Sequence, residues 1–134
     1  MRVDGSCHCG DVRFEAEVEP SRVGVCHCVD CQIFSGSAFR VSALVAASAF
    51  SLLAGVPARY EKTSESGKLR HLYFCGRCGT HLYGATPLAG QTFYSVRGGV
   101  LAQRAALVPA VQIWCDSEVP WLARLPTARR VERQ

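Results

Sequence analysis

Long apolar runs are missing from this chain. The N-terminus, Met1-Arg2-Val3-Asp4-Gly5-Ser6, has no apolar core of the kind a secretion signal carries. The charge-free stretch from Val41 to Ala58 is interrupted by Ser42, Ser48, Ser51, Gly55 and Pro57. It reads as a buried strand and a turn, not as a membrane span. A cytoplasmic protein without a membrane partner is expected. Linkers, low-complexity tracts and internal repeats are also absent, apart from a recurring Cys-x-Cys. The 134 residues therefore read as one domain over 1–125 with a flexible tail over 126–134. No Ser/His/Asp set and no carboxylate pair stands out. Lysine is scarce: thirteen of the fifteen basic residues are arginine. Arginine suits bidentate recognition of carboxylate or phosphate.

Cysteine is plentiful, at eight residues. Without a secretion signal, clustered thiols point to metal ligands or reactive groups, and a disulfide-stapled fold is disfavoured. The chain centres on Cys26-His27-Cys28-Val29-Asp30-Cys31. In extended backbone, residues i and i+2 leave on one face, so Cys26 and Cys28 can reach one ion while His27 points away. Cys28 and Cys31 have the Cys-x-x-Cys spacing of a zinc knuckle. Cys7-His8-Cys9-Gly10 offers another pair, and Gly10 permits a tight turn. Cys75-Gly76-Arg77-Cys78-Gly79 is a third cluster and a specific knuckle signature.

Two pairs close a tetrahedron. Cys7, Cys9, Cys75 and Cys78 are thus expected to hold a structural zinc, and Cys26, Cys28 and Cys31 a second zinc with an open position. Structural zinc sites are closed by four protein ligands, whereas catalytic ones leave a position for water or substrate. Two rivals stand beside this partition. Cys115 could complete the second set, although a lone mid-strand cysteine is more often a buried apolar residue. Cysteine quartets also serve iron–sulfur clusters. His8 and His27 read as neighbours of ligands, and His71 and His81 as packing or hydrogen-bonding residues.

Metal changes the charge balance. The formal net charge is +4; seven bound thiolates lower it by seven and two Zn²⁺ raise it by four, leaving +1. That weakens the case for a nucleic-acid partner. An asymmetry remains: residues 1–66 carry six basic and eight acidic side chains, and residues 67–134 nine and three.

The backbone pattern is that of strands. Val12, Phe14, Ala16 and Val18 alternate with polar residues, giving a strand with one buried face. Short strands are also expected at 22–25, 38–45, 59–63, 68–74, 80–83, 92–96 and 108–114. One helical turn is expected near Gln32, a second turn at 46–49, and a hairpin loop at 64–67. Pro109 marks a bulge or an edge. The segment from Glu118 to Leu122 should pack its aromatic, Trp121. The class is mainly β, with antiparallel sheets and zinc knuckles at turns.

Taken together, Gly5-Ser6-Cys7-His8-Cys9-Gly10, the Cys26–Cys31 cluster with Ser35-Gly36-Ser37, Phe74-Cys75-x-x-Cys78-Gly79-Thr80 and Pro120-Trp121 resemble the glutathione-dependent formaldehyde-activating enzyme family, also called the centromere protein V family. The resemblance runs from Gly5 to about Leu122. It implies an Mss4-like, or β-tent, fold and the same division into a structural and a catalytic zinc. It also implies a carbon–sulfur lyase that condenses formaldehyde with glutathione to S-hydroxymethylglutathione. Two positions depart from the family pattern. Gln32 stands where the family often has Arg, and Gly99-Val100-Leu101-Ala102 where it often has Gly-Thr-Leu-Asp.

The expected function is therefore a zinc-dependent lyase acting on a thiol such as glutathione and an aldehyde, with Cys26, Cys28 and Cys31 at the catalytic zinc. A three-thiolate zinc is electron-rich and better suited to holding a thiolate than to activating water. Arg40, Arg70, Arg77 or Arg97 would orient the carboxylates of glutathione. The alternative is a non-catalytic zinc-binding module or glutathione carrier, which would use the same ligands without turnover.

Overall fold

The structure, a computed structural model, describes residues 1–64, 67–88 and 90–133. Glu65 and Ser66 of the expected hairpin loop, and Gln134 of the tail, lie outside the described residues. Among the described residues, ten strands form two sheets. The smaller contains β1 (Arg2–Ser6), β2 (Arg13–Glu17) and β5 (Phe50–Ala54), in the order β1-β2-β5. The larger contains β3 (Val23–Cys26), β4 (Arg40–Ala46), β6 (Ala58–Thr63), β7 (Leu69–Phe74), β8 (His81–Leu88), β9 (Gln91–Arg97) and β10 (Val111–Ile113). Its order is β10-β3-β4-β9-β8-β7-β6. The one α-helix among the described residues, α1 (Val29–Ser35), follows β3 directly.

Alternation puts the core between the sheets. Val12, Phe14, Ala16 and Val18 are buried, as their period-two pattern requires. From the larger sheet come Ala43, Val45, Leu82, Tyr83 and Val96. Phe14 stacks on Phe50 with centroids 5.0 Å apart, and Phe50 meets Tyr83 at 4.9 Å and Tyr94 at 4.9 Å. Such pairs add about 0.5–1.5 kcal/mol each beyond the area they bury. Gly5 makes this packing possible: a Cβ there would lie 2.0 Å from Phe14 Cζ.

Four features differ from the sequence expectation. β5 is a strand where only a turn was expected; its Ser51, Leu52 and Leu53 are exposed, so burial leaves no alternating trace. β10 pairs parallel with β3, the exception in sheets that are otherwise antiparallel. It reaches β3 from β9 through two 3₁₀ turns, Gly98–Val100 and Arg104–Ala106, a connection long enough to reverse its direction. Helix α1 starts at Val29, not near Gln32, and ends at Gly36 in the left-handed region with φ 61°. Trp121 is 54% exposed and does not pack into the core; a 3₁₀ helix, Leu122–Thr127, follows it.

Candidate metal centre

The first cysteine group is built by two turns that face each other. In one, Gly10 N–H donates to Cys7 O at 3.1 Å, and Val12 N–H donates to Cys7 Sγ at 3.2 Å. In the other, Gly79 N–H donates to Cys75 O at 2.9 Å. Gly10 (φ 83°) and Gly79 (φ 73°) both take the left-handed conformation that lets each turn double back behind its second cysteine. Thr80 ties the turns together: its Oγ1 accepts from His8 N–H at 3.1 Å and lies 3.1 Å from Cys78 Sγ.

These turns bring the sulfurs of Cys7, Cys9, Cys75 and Cys78 within 4.8 Å of one another. Cys7 and Cys9 are 3.5 Å apart and Cys9 and Cys75 3.7 Å, too long for a disulfide. A zinc–sulfur bond of about 2.3 Å gives tetrahedral sulfurs about 3.8 Å apart, so the group fits zinc. Hydrogen bonding favours thiolate at two of the four, while Cys9, against the N–H of Asp11, is pushed up to about 12 by burial and the neighbouring thiols. Thr80 hydroxyl and N–H, helped by Cys9 N–H, pull the Cys78 thiol down to about 5. At Cys7 burial opposes ionisation, but Val12 N–H and the thiols of Cys9 and Cys75 outweigh it and lower the pKa.

The second group stands where β3 gives way to α1. Cys26 ends the strand, Cys28 caps the helix in extended conformation, and Cys31 lies on the first turn. Their sulfurs also lie within 4.8 Å of one another, so this group can hold a metal ion as well. Donation from Cys31 pulls Cys26 down to about 5 against the effect of burial, with Cys28 and Arg40 assisting. Cys31 is correspondingly pushed up, first by Cys26 and then by burial. His27 between them is fully buried and turned away; its Nε2 lies 2.9 Å from Gln112 Oε1 and its ring packs on Phe39.

This second group borders a cavity of about 430 Å³. Arg40, Lys62, Arg70 and Arg97 also line it. Lys62 is neutralised by an ion pair with Asp30. The three arginines have no ion-pair partner among the described residues. Arg40 Nε, Arg70 Nη1 and Arg97 Nη2 are buried N–H donors without an acceptor. Arg97 is only 6% exposed, and its Nη1 donates to Ser95 O and Oγ at 3.1 and 3.2 Å. Burial and the charge of Arg40 lower its pKa, toward which Cys31 and Cys26 act in opposition. Buried guanidinium N–H groups without an acceptor, on half-buried Arg40 and Arg70 and on buried Arg97, are costly unless an anion satisfies them.

The remaining sequence candidates separate cleanly. Cys115 belongs to neither group and is exposed at a 3₁₀ turn, so it is not the buried apolar residue expected. Arg77 does not line the cavity and pairs with Asp11 at 3.0 Å beside the first group. His81 packs between Phe34 and Phe74, and His71 lies 3.4 Å from Glu61. Sequence reasoning passed over Gln112, Lys62, Asp30 and Trp114. Gln32 also gains a role: its Nε2 donates to His27 O at 2.7 Å and Ser117 O at 3.0 Å, joining α1 to the segment after β10.

A mainly β protein with two cysteine groups able to bind metal, one of them open to a cationic cavity, is the class that fold and site define. The sequence profile of the glutathione-dependent formaldehyde-activating enzyme family matches residues 2–117, and the chain belongs to that family. No curated protein matches it. Among solved structures, a Rhodobacter sphaeroides protein is similar, with a TM-score of 0.63 and 19% identity, over 84% of this chain and 99% of the other. At that identity the likeness is one of fold. Among the described residues, no helix is long and apolar enough to cross a membrane.

Proposed function

We propose that the protein is a zinc-dependent enzyme of the carbon–sulfur lyase type that joins a thiol such as glutathione to an aldehyde. Cys26, Cys28 and Cys31 hold the catalytic zinc, and Cys7, Cys9, Cys75 and Cys78 a structural one. When bound at the first of these, zinc stabilises a substrate sulfur as thiolate near neutral pH. The protein binds and orients. Arg40 and Arg97, whose charges are felt at Cys26 and Cys31, take one carboxylate of the thiol substrate, and Arg70 takes another. In the reaction a carbon–sulfur bond forms, the S–H bond breaks, and the aldehyde oxygen gains the proton as a hydroxyl.

The observation that carries this reading is the meeting, in one cavity, of a three-sulfur group with three arginines that have no ion-pair partner among the described residues. It matches a ligand bearing both a sulfur and carboxylates. Free thiols such as these suit a reducing compartment, and the cytoplasm is the proposed location. Nucleic acid is not a proposed partner. The test is S-hydroxymethylglutathione formation from formaldehyde and glutathione, followed by NMR exchange. The zinc-loaded protein should exceed the uncatalysed rate, and Cys28→Ser should return it to background. Saturable glutathione binding with no rate enhancement would instead identify a glutathione carrier or zinc-binding module.

A further inference from the structure

The cavity has two kinds of wall. Arg40, Arg70 and Arg97, which have no ion-pair partner among the described residues, come from β4, β7 and β9 of the large sheet. The cavity's outer wall comes from α1 and the end of β10, and includes Val29, Ile113 and Trp114. These three are 61%, 50% and 47% exposed, yet they border the same cavity as the three sulfurs. Exposed apolar residues are ordinary when scattered, and informative when grouped at a site.

A second observation singles out Trp114. Its φ of 59° is the one positive φ at a non-glycine position among the described residues. A bulky residue in the left-handed region is strained and persists only where its surroundings hold it. Here the chain is fastened on both sides of the strained residue. His27 N–H donates to Ile113 O at 3.0 Å, and Gln112 Oε1 meets His27 Nε2 at 2.9 Å. On the far side Ser117 N–H donates to Trp114 O at 3.1 Å, and Gln32 Nε2 to Ser117 O at 3.0 Å. Each anchor is tied to the segment that carries Cys26, Cys28 and Cys31. The strain is thus retained beside the sulfur group, and its result is a half-exposed indole at the cavity rim.

We infer that this rim receives an apolar substituent on the carbon bonded to the substrate sulfur, and that Trp114 determines the preference. The aldehyde partner is then an alkyl or aryl aldehyde larger than formaldehyde, which has no carbon substituent to bury. The inference rests on the reading that the cavity binds glutathione with its sulfur at the three-thiolate zinc. The addition is the same: the carbon–sulfur bond forms, S–H breaks, and the carbonyl oxygen becomes a hydroxyl, with no redox change.

Binding of two thioethers by calorimetry tests this on the zinc-loaded full chain, independently of turnover. S-hexylglutathione should bind at least about tenfold more tightly than S-methylglutathione, because partial burial of five added methylenes suffices for that factor. Trp114→Gly, which removes the indole and suits the left-handed backbone, should reduce the ratio to below about threefold. Trp114→Phe should retain most of the ratio. Equal affinity for the two ligands, or a ratio unmoved by Trp114→Gly, overturns the inference and leaves the proposed function intact. Binding of glutathione but of neither thioether also overturns the inference alone; failure of glutathione itself to bind overturns the glutathione reading, and the inference with it.

Discussion

At Arg97 two demands conflict. The guanidinium is buried to within 6% of full enclosure, and Nη2 has no acceptor, a state that disfavours the free protein. The same group is poised to form a charge-assisted hydrogen bond with a carboxylate, the strong kind. Arg97→Met separates the two. It should leave the free protein unchanged in stability or raise it by up to about 4 kcal/mol, since replacing a buried charge by an apolar side chain is often neutral or stabilising. It should also weaken S-methylglutathione binding by about tenfold or more. Thermal unfolding and calorimetry together check this; lower stability with unchanged binding would assign Arg97 a purely structural role. Cys115 makes the opposite case. It is exposed and outside both sulfur groups, so Cys115→Ser should leave zinc content unchanged by elemental analysis. Loss of one zinc would mean that it completes the second site.

At the scale of elements, the two cysteine groups differ in the length of chain they close. Cys9 and Cys75 are 66 residues apart, and their group joins the turn after β1 to the turn after β7. Cys26, Cys28 and Cys31 are local. Because metal binding to a structural site is itself folding free energy, on the order of 10 kcal/mol, Cys7→Ser or Cys78→Ser should yield little folded protein. Cys28→Ser should fold and bind one zinc fewer, because its group closes only a short loop. Circular dichroism and metal analysis check both; a folded Cys7→Ser with full β signal would remove the stapling role. This contrast was legible in the sequence because ligand spacing is local chemistry: Cys-x-Cys and Cys-x-x-Cys with their glycines need no knowledge of the fold. So was β2, whose buried Phe14 and Ala16 alternate with charged residues. β5 was not legible, because Ser51, Leu52 and Leu53 face out and only Phe50 anchors it against Phe14. Nor was the parallel seat of β10, which depends on the path of the connection from β9. The arginines were visible as candidates, but which of them share a wall is set by strand order. Arg40 and Arg97 meet because β4 and β9 are neighbours, while Arg77 turns to Asp11.

At the scale of the molecule, the chain is two sheets with a sulfur group at each of two places, and the groups are unequal in ligand number: four cysteines in one and three in the other. On the proposed reading this inequality separates a structural zinc from a catalytic one. Zinc-edge X-ray absorption on protein loaded with two zinc ions reads it directly. Four sulfurs at one ion and three at the other average to 3.5 sulfur ligands per zinc. With saturating glutathione the average should rise to about 4, as the substrate sulfur takes the open position of a tetrahedral site; Cys28→Ser should abolish the rise. An average of 4 sulfurs before any thiol is added, unchanged at saturation, would contradict the account and show both sites closed.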